Sequence, residues 1–183
     1  MIIQTTRFEQ LNVNDEETII FPQGLFGFVE YTQFCLVDAC DDVLILWLQS
    51  LEKSEIAFPV LEPKIFKPDY TLRLSPMEMR ELRLDNIQQA VVLSILTIPT
   101  DVNQMTANLK APLVLNLKEQ IAKQVVLQEN EYPIKYPMFK EFKAHLVTLQ
   151  ANRSRTQDLR VEPKTATQYL PIPIKNLFLT SSF

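Results

Sequence analysis

Residues 105–116, MTANLKAPLVLN, join two kinds of chain within a dozen positions. Met105–Thr106–Ala107–Asn108 reads as a polar bend, because Asn tolerates left-handed backbone and short Thr and Asn side chains turn and cap chains. Ala111–Pro112–Leu113–Val114–Leu115 reads as a buried strand that ends on Asn116. Its proline stands at the start, where a missing N–H breaks no ladder. Either Thr106, Asn108 and Asn116 line a catalytic site, or they turn the chain beside a surface that binds something else. The bend accounts for the residue types without any substrate.

The same grammar of short apolar runs broken by Pro, Asp and Asn extends through most of the 183 residues. Run length and β-branched content predict strands near Ile2–Phe8, Thr18–Phe21, Gln33–Val37, Val43–Ser50, Ile56–Leu61, Tyr70–Leu74, Ala90–Ile98, Ala111–Leu115 and Ala122–Gln128. One short helix interrupts them. Ser75–Pro76–Met77–Glu78 supplies the N-cap, a proline at the first helical position and the glutamate of a capping box, with an end near Leu82–Leu84. This spacing suits an antiparallel sheet curled on itself rather than βαβ units. The predicted fold is mainly β: a small antiparallel barrel-like domain with one short helix, occupying residues 1–136.

Two segments break the pattern. The only two glycines, Gly24 and Gly27, both lie in Phe21–Phe28, FPQGLFGF, whereas average usage of ~7% would supply about thirteen. Glycine serves where backbone takes positive φ or passes close to something. The loop is also apolar, through Phe21, Leu25, Phe26 and Phe28. It either plugs one end of the sheet or presents an apolar patch to a partner.

The second segment is a C-terminal extension, residues 137–183. In PMFKEFKAHLVTL, Met138, Phe142, Leu146 and Leu149 recur at spacings of four, four and three, which predicts an amphipathic helix over about 138–150. Phe142, Leu146 and Leu149 are expected to dock on the domain's own surface. Residues 151–168 are polar and basic without periodicity and read as a mobile linker. Residues 169–183, YLPIPIKNLFLTSSF, are apolar again, and Pro171 and Pro173 argue for an extended segment rather than a helix. That end is expected to dock on its own domain or on another chain. A monomer is expected, with dimerisation through the tail as the alternative.

Charge divides along the same line. Residues 1–135 hold 19 acidic against 11 basic side chains, and residues 136–183 hold 3 against 7. The acidic part repels nucleic acid, whose binding needs clustered Lys and Arg. It either keeps the protein dissolved or attracts a basic protein partner. MIIQTTRFEQ has no secretory pattern and no apolar run approaches the ~20 residues of a membrane helix, so a cytoplasmic location is expected.

Catalytic constellations do not emerge. His145, the single histidine, sits on the tail helix without a nucleophile beside it. Cys35 and Cys40, five apart, read as free thiols rather than a disulfide or a zinc site. Two glycines are too few for a phosphate loop. Asp41, Asp42, Glu62, Asp69 and Asp101 are carboxylates without a partner that spacing can supply. No enzyme, cofactor or metal is expected. An enzyme reading would require a pocket joining Asp69 to Asn108 or Asn116.

MTANLKAPLVLN also resembles the signature of the flagellar assembly factor FliW family. Other segments agree in order: FPQGLFGF at 21–28, WLQS at 47–50, PDY at 68–70, LSPMEMREL at 74–82, and KQVVL with a later YP between 123 and 133. The resemblance implies a small barrel-like β domain without catalytic activity. It implies a protein that binds flagellin in the cytoplasm and antagonises the translational regulator CsrA, a small basic RNA-binding dimer, so coupling flagellin synthesis to export. A dedicated flagellin chaperone without regulator binding is the alternative. By motif membership, the partner surface would comprise Phe21, Leu25, Phe26, Phe28, Asp69, Tyr70, Met105, Thr106 and Asn108. Phe26 departs from the family pattern, standing where proline is usual. The extension beyond Tyr136 matches no motif of the family.

Overall fold

The computed structural model describes residues 1–39, 44–128, 132–156 and 170–171, the side-chain surroundings of 152–156 and 170–171 excepted. In chain order its strands are β1 (Ile2–Thr5), β2 (Glu9–Asn12), β3 (Ile19–Ile20), β4 (Gln33–Asp38), β5 (Leu46–Ser50), β6 (Ala57–Leu61), β7 (Val91–Thr97), β8 (Thr106–Ala107), β9 (Leu113–Asn116), β10 (Ile121–Gln124), β11 (Tyr136–Pro137) and β12 (Leu170–Pro171). Helix α1 (Pro76–Glu81) precedes β7 and α2 (Phe139–Thr156) comes after β11.

β3, β4, β5, β6, β7, β9 and β10 close into a barrel in chain order. Each successive pair is antiparallel. An odd number of alternating strands leaves the first and last pointing the same way, so β3 and β10 meet as a parallel pair through Ile20 and Ile121. Sequence spacing predicts antiparallel pairing and carries no sign of this closure. β8 and β11 lie outside the ring as a short flap on β7.

β4 shows why its run is apolar throughout. Phe34 and Leu36 point into the barrel with Leu48, Val60, Leu93 and Leu113. Cys35 and Val37 point outward, under the β1–β2 hairpin, among Phe8, Leu11 and Val13. Alternation places successive side chains on opposite faces, and here both faces are covered. A third cluster fills the space between the barrel wall and α1 and α2, with Leu82, Leu109, Met138 and Phe142 buried in it.

Three expectations need correction. Ile2–Phe8 is not one strand: the chain turns at 6–8 and returns as β2, which its polar residues conceal. Tyr70–Leu74 is not a strand, because its polar groups are satisfied by side chains and loops. Tyr70 Oη donates to the Leu109 carbonyl at 2.9 Å, and Thr71 N–H donates to Tyr132 Oη at 3.0 Å. The tail helix runs past 150 to Thr156. Elongating an existing helix is easy, and 151–156 hold no Gly or Pro to stop it. Within it Phe142 is buried and Leu146 half-buried against the core, as the spacing requires, and Leu149 is half-buried. Cys40, Asp41, Asp42 and the remaining linker and apolar end lie outside the described residues.

Candidate functional site

FPQGLFGF does two things at once. Phe21 and Leu25 enter the barrel core, with Phe21 edge-on to Phe34 at 5.3 Å between ring centroids. Phe28 is half-buried against Phe58 at 5.1 Å. Leu25 and Phe28 bond to each other through their backbones, which leaves Phe26–Gly27 at the tip of a tight turn. Gly27 takes φ 84° there, the third position at which a type II turn requires it. Gly24 takes φ 62°, and a Cβ on it would stand 2.6 Å from Val29 Cα. The plug and the exposed patch are therefore both present, on different residues of one loop.

The exposed part is Phe26, at 58% of its surface, with Val29 at 65%. Phe26 is nonetheless held: its N–H donates to Gln124 Oε1 at 2.9 Å, and Gln124 in turn donates to the Ala111 carbonyl at 3.2 Å. A proline at this position has no N–H to give. Phe26 thus supplies a hydrogen bond that ties the turn to β10.

Beside Phe26 lies a cleft of about 210 Å³ walled by Pro22, Val29, Leu82 and Ala122, with the Lys123–Glu81 ion pair at its rim. Pro22 and Ile121 also line a wider cleft of about 510 Å³, with Ile20, Thr18 and Asp15. The apolar residues of the two clefts, Ile20, Pro22, Phe26, Val29 and Ile121, make a strip beside the parallel β3–β10 seam, bordered in the wider cleft by the polar Gln33, Arg83, Glu119 and Gln120. Motif reading missed Ile20, Val29 and Ile121, and an apolar residue outside any quoted motif carries no signal of its own.

MTANLKAPLVLN is built the other way. Thr106 and Ala107 form β8, paired to β7 on one side and β11 on the other. Asn108 N–H donates to the Ile95 carbonyl at 2.9 Å, and its Oδ1 accepts from Ala111 N–H at 3.0 Å. The Met105 carbonyl accepts from Met138 N–H at 3.2 Å, at the foot of α2. Asn116 is buried: its Nδ2 donates to the carbonyls of Leu82 and Arg83, both at 2.9 Å, fastening the end of α1 to β9. This stretch is a clasp.

The nine residues named as a partner surface therefore separate. Phe21, Leu25, Tyr70 and Met105 are core side chains that a partner cannot reach in the folded chain. Thr106, Asn108 and Phe28 are half-buried, while Phe26 and Asp69 face solvent. Asp69 lies at 2.6 Å from Lys67 Nζ, and that hydrogen bond holds its carboxyl below the usual range. Neither of these two clefts is lined by Asp69, Asn108 or Asn116. Burial, aided by the Glu17 charge, pushes the Cys35 thiol up to about 12, which removes it as a nucleophile near neutrality. No cluster of three or more metal-ligating side chains occurs among the described residues.

Comparison with known proteins bears on the same residues. The family described as FliW protein matches residues 2–138. A flagellar assembly factor FliW from Bdellovibrio bacteriovorus is 41% identical over 165 residues, covering 90% of this chain and 94% of the relative. One from Bacillus subtilis is 38% identical over 138 residues, covering 75% of this chain and 96% of the relative. A crystal structure of a flagellar assembly factor FliW superposes with a TM-score of 0.72 at 29% identity, covering 76% of this chain and 97% of that one. At 165 residues, the match to the Bdellovibrio relative is longer than the 1–136 domain and so extends into the tail.

Proposed function

This chain belongs to the FliW family, and from that premise we propose that it is a non-enzymatic flagellar assembly factor that binds flagellin in the cytoplasm and antagonises CsrA. The observation that carries the reading is Phe26: a large aromatic, mostly exposed, on a turn whose backbone is locked to the barrel. A hydrophobic anchor that is already ordered loses little conformational entropy on binding, which is why aromatic hot spots contribute so much to affinity. The Ile20–Phe26–Val29 strip offers a partner helix or extended segment an apolar seat without disturbing the core.

Charge supports the second partner. The excess of acidic side chains in residues 1–135 suits a small basic dimer such as CsrA, and association driven by it weakens steeply as salt screens exposed charges. The test is a competition titration. Labelled flagellin is bound to the protein at moderate salt, and CsrA from the same genome is added in steps. Displacement of flagellin supports the two-partner switch. Flagellin binding that CsrA leaves untouched, with no direct CsrA binding, replaces it with a dedicated chaperone. Binding of neither partner at micromolar concentration overturns the reading.

A further inference from the structure

β12 joins the barrel wall from the far end of the chain. Leu170 and Pro171 pair with Asp38 and Val37, on the edge of β4 whose other half is taken by Ile19 and Ile20 of β3. The antiparallel register aims the chain beyond Pro171 from Val37 toward Phe34. Only Leu36 and Cys35 of that edge lie between the two short strands. A strand continuing along that edge would run into Ile19 of β3 within about two residues, with Thr18 and Ile20 on either side of it in the chain. Those two residues line the wider cleft, which runs through Pro22 and Ile121 to the cleft beside Phe26.

Beyond β12 the chain continues as Ile172–Phe183, IPIKNLFLTSSF, of which six residues are Ile, Leu or Phe. Twelve extended residues reach up to about 40 Å. Composition and charge match the surface ahead of it. Ile20, Phe26 and Val29 are exposed apolar side chains. The rim cations Arg83 and Lys123 are already matched by Glu119 and Glu81, and Asp15 adds a negative charge. The segment carries Lys175 and no acidic side chain.

We propose that Ile172–Phe183 seats in cis on the apolar strip between Ile20 and Phe26 and competes there with the protein's partner. The seat follows from the register of β12 and the surface beside it. The competition rests on the reading of the Phe26 turn as the flagellin surface.

The test compares hydrogen exchange in the full chain with that in the full-length double variant Leu177→Asp, Phe178→Asp, which leaves β12 and the barrel untouched. Seating in cis predicts that amides of 19–29 and 119–124 exchange at least about five-fold faster in the variant, while β5 and β6 keep their rates. Unchanged exchange in those segments overturns the proposal. Protection of wild type that falls on dilution assigns the segment to a second copy and overturns the seat in cis. A synthetic Ile172–Phe183 peptide that restores protection to the variant supports it. Competition predicts that the variant binds flagellin at least about three-fold more tightly than wild type, because the competent fraction rises. Equal flagellin binding overturns the competition. Flagellin binding to neither protein overturns the functional reading instead, and the exchange comparison still decides the seat.

Discussion

FPQGLFGF and MTANLKAPLVLN are the two segments that most mark the chain's family, and they are built for opposite purposes. The first holds both glycines and pushes Phe26 out of the molecule while Phe21 and Leu25 plug the barrel. The second turns its polar atoms onto the chain's own backbone and buries Ala107, Leu109, Leu113 and Asn116. A recognisable motif is therefore not a contact surface by default. What separates the two is where the hydrogen bonds go. In the clasp, side-chain amides satisfy backbone groups of neighbouring elements. In the loop, a buried glutamine satisfies the turn's backbone and frees the aromatic ring to face outward.

That contrast can be broken by substitution. The largest effect on folding is expected from Leu109→Ala in the clasp. Leu109 is wholly buried in the cluster beneath α2, so the change should cost about 2–5 kcal/mol in denaturant unfolding. If it weakened flagellin binding while leaving stability alone, the clasp would be a contact surface after all. Phe26→Ala should do the reverse, with stability within about 0.5 kcal/mol of wild type and flagellin affinity lower by at least about 2 kcal/mol, or roughly thirty-fold. Calorimetric titration beside thermal unfolding reads both, and normal binding by a folded variant would remove the turn from the interface.

Asn116→Ala sharpens the comparison from the clasp side. It strips the Leu82 and Arg83 carbonyls of their donor, so a loss of about 1–3 kcal/mol is expected, together with faster amide exchange in α1. Unaltered exchange in α1 would mean that packing alone holds that helix. The smallest effect belongs to Gly27→Ala. A Cβ there meets nothing within 4 Å, so the cost is that of positive φ alone, about 1–2 kcal/mol. A much larger loss would show that the turn tip is packed rather than open.

Much of this is legible in the amino-acid sequence. Ser75–Pro76–Glu78 announces α1, and the capping box is there, with the Ser75 hydroxyl accepting from Glu78 N–H at 3.2 Å. Strand length, β-branched content and punctuation locate the barrel strands, whereas the polar β2 of the separate hairpin carries no such signal. Tyr70–Leu74 misleads, because its alternation of apolar and polar residues looks the same in a loop as in a sheet until the partners of its backbone are known. The nine-residue surface misleads for a related reason. Phe21, Leu25 and Phe26 are all strongly apolar, and only the turn at Phe26–Gly27 decides which of them water can reach.

The amino-acid sequence by itself determined the class of fold, the short helix, the amphipathic tail helix and membership of a family, because those depend on local propensity, periodicity and ordered motifs. Tertiary structure alone decided the rest. Closure through the parallel β3–β10 pair follows from an odd strand count around a ring. Gln124 becomes the anchor of Phe26 across 98 residues of chain. The apolar strip collects Ile20, Phe26, Val29 and Ile121 from distant places in the sequence. Each of these is a long-range pairing, and no short window of sequence records which distant residue will come to lie beside it.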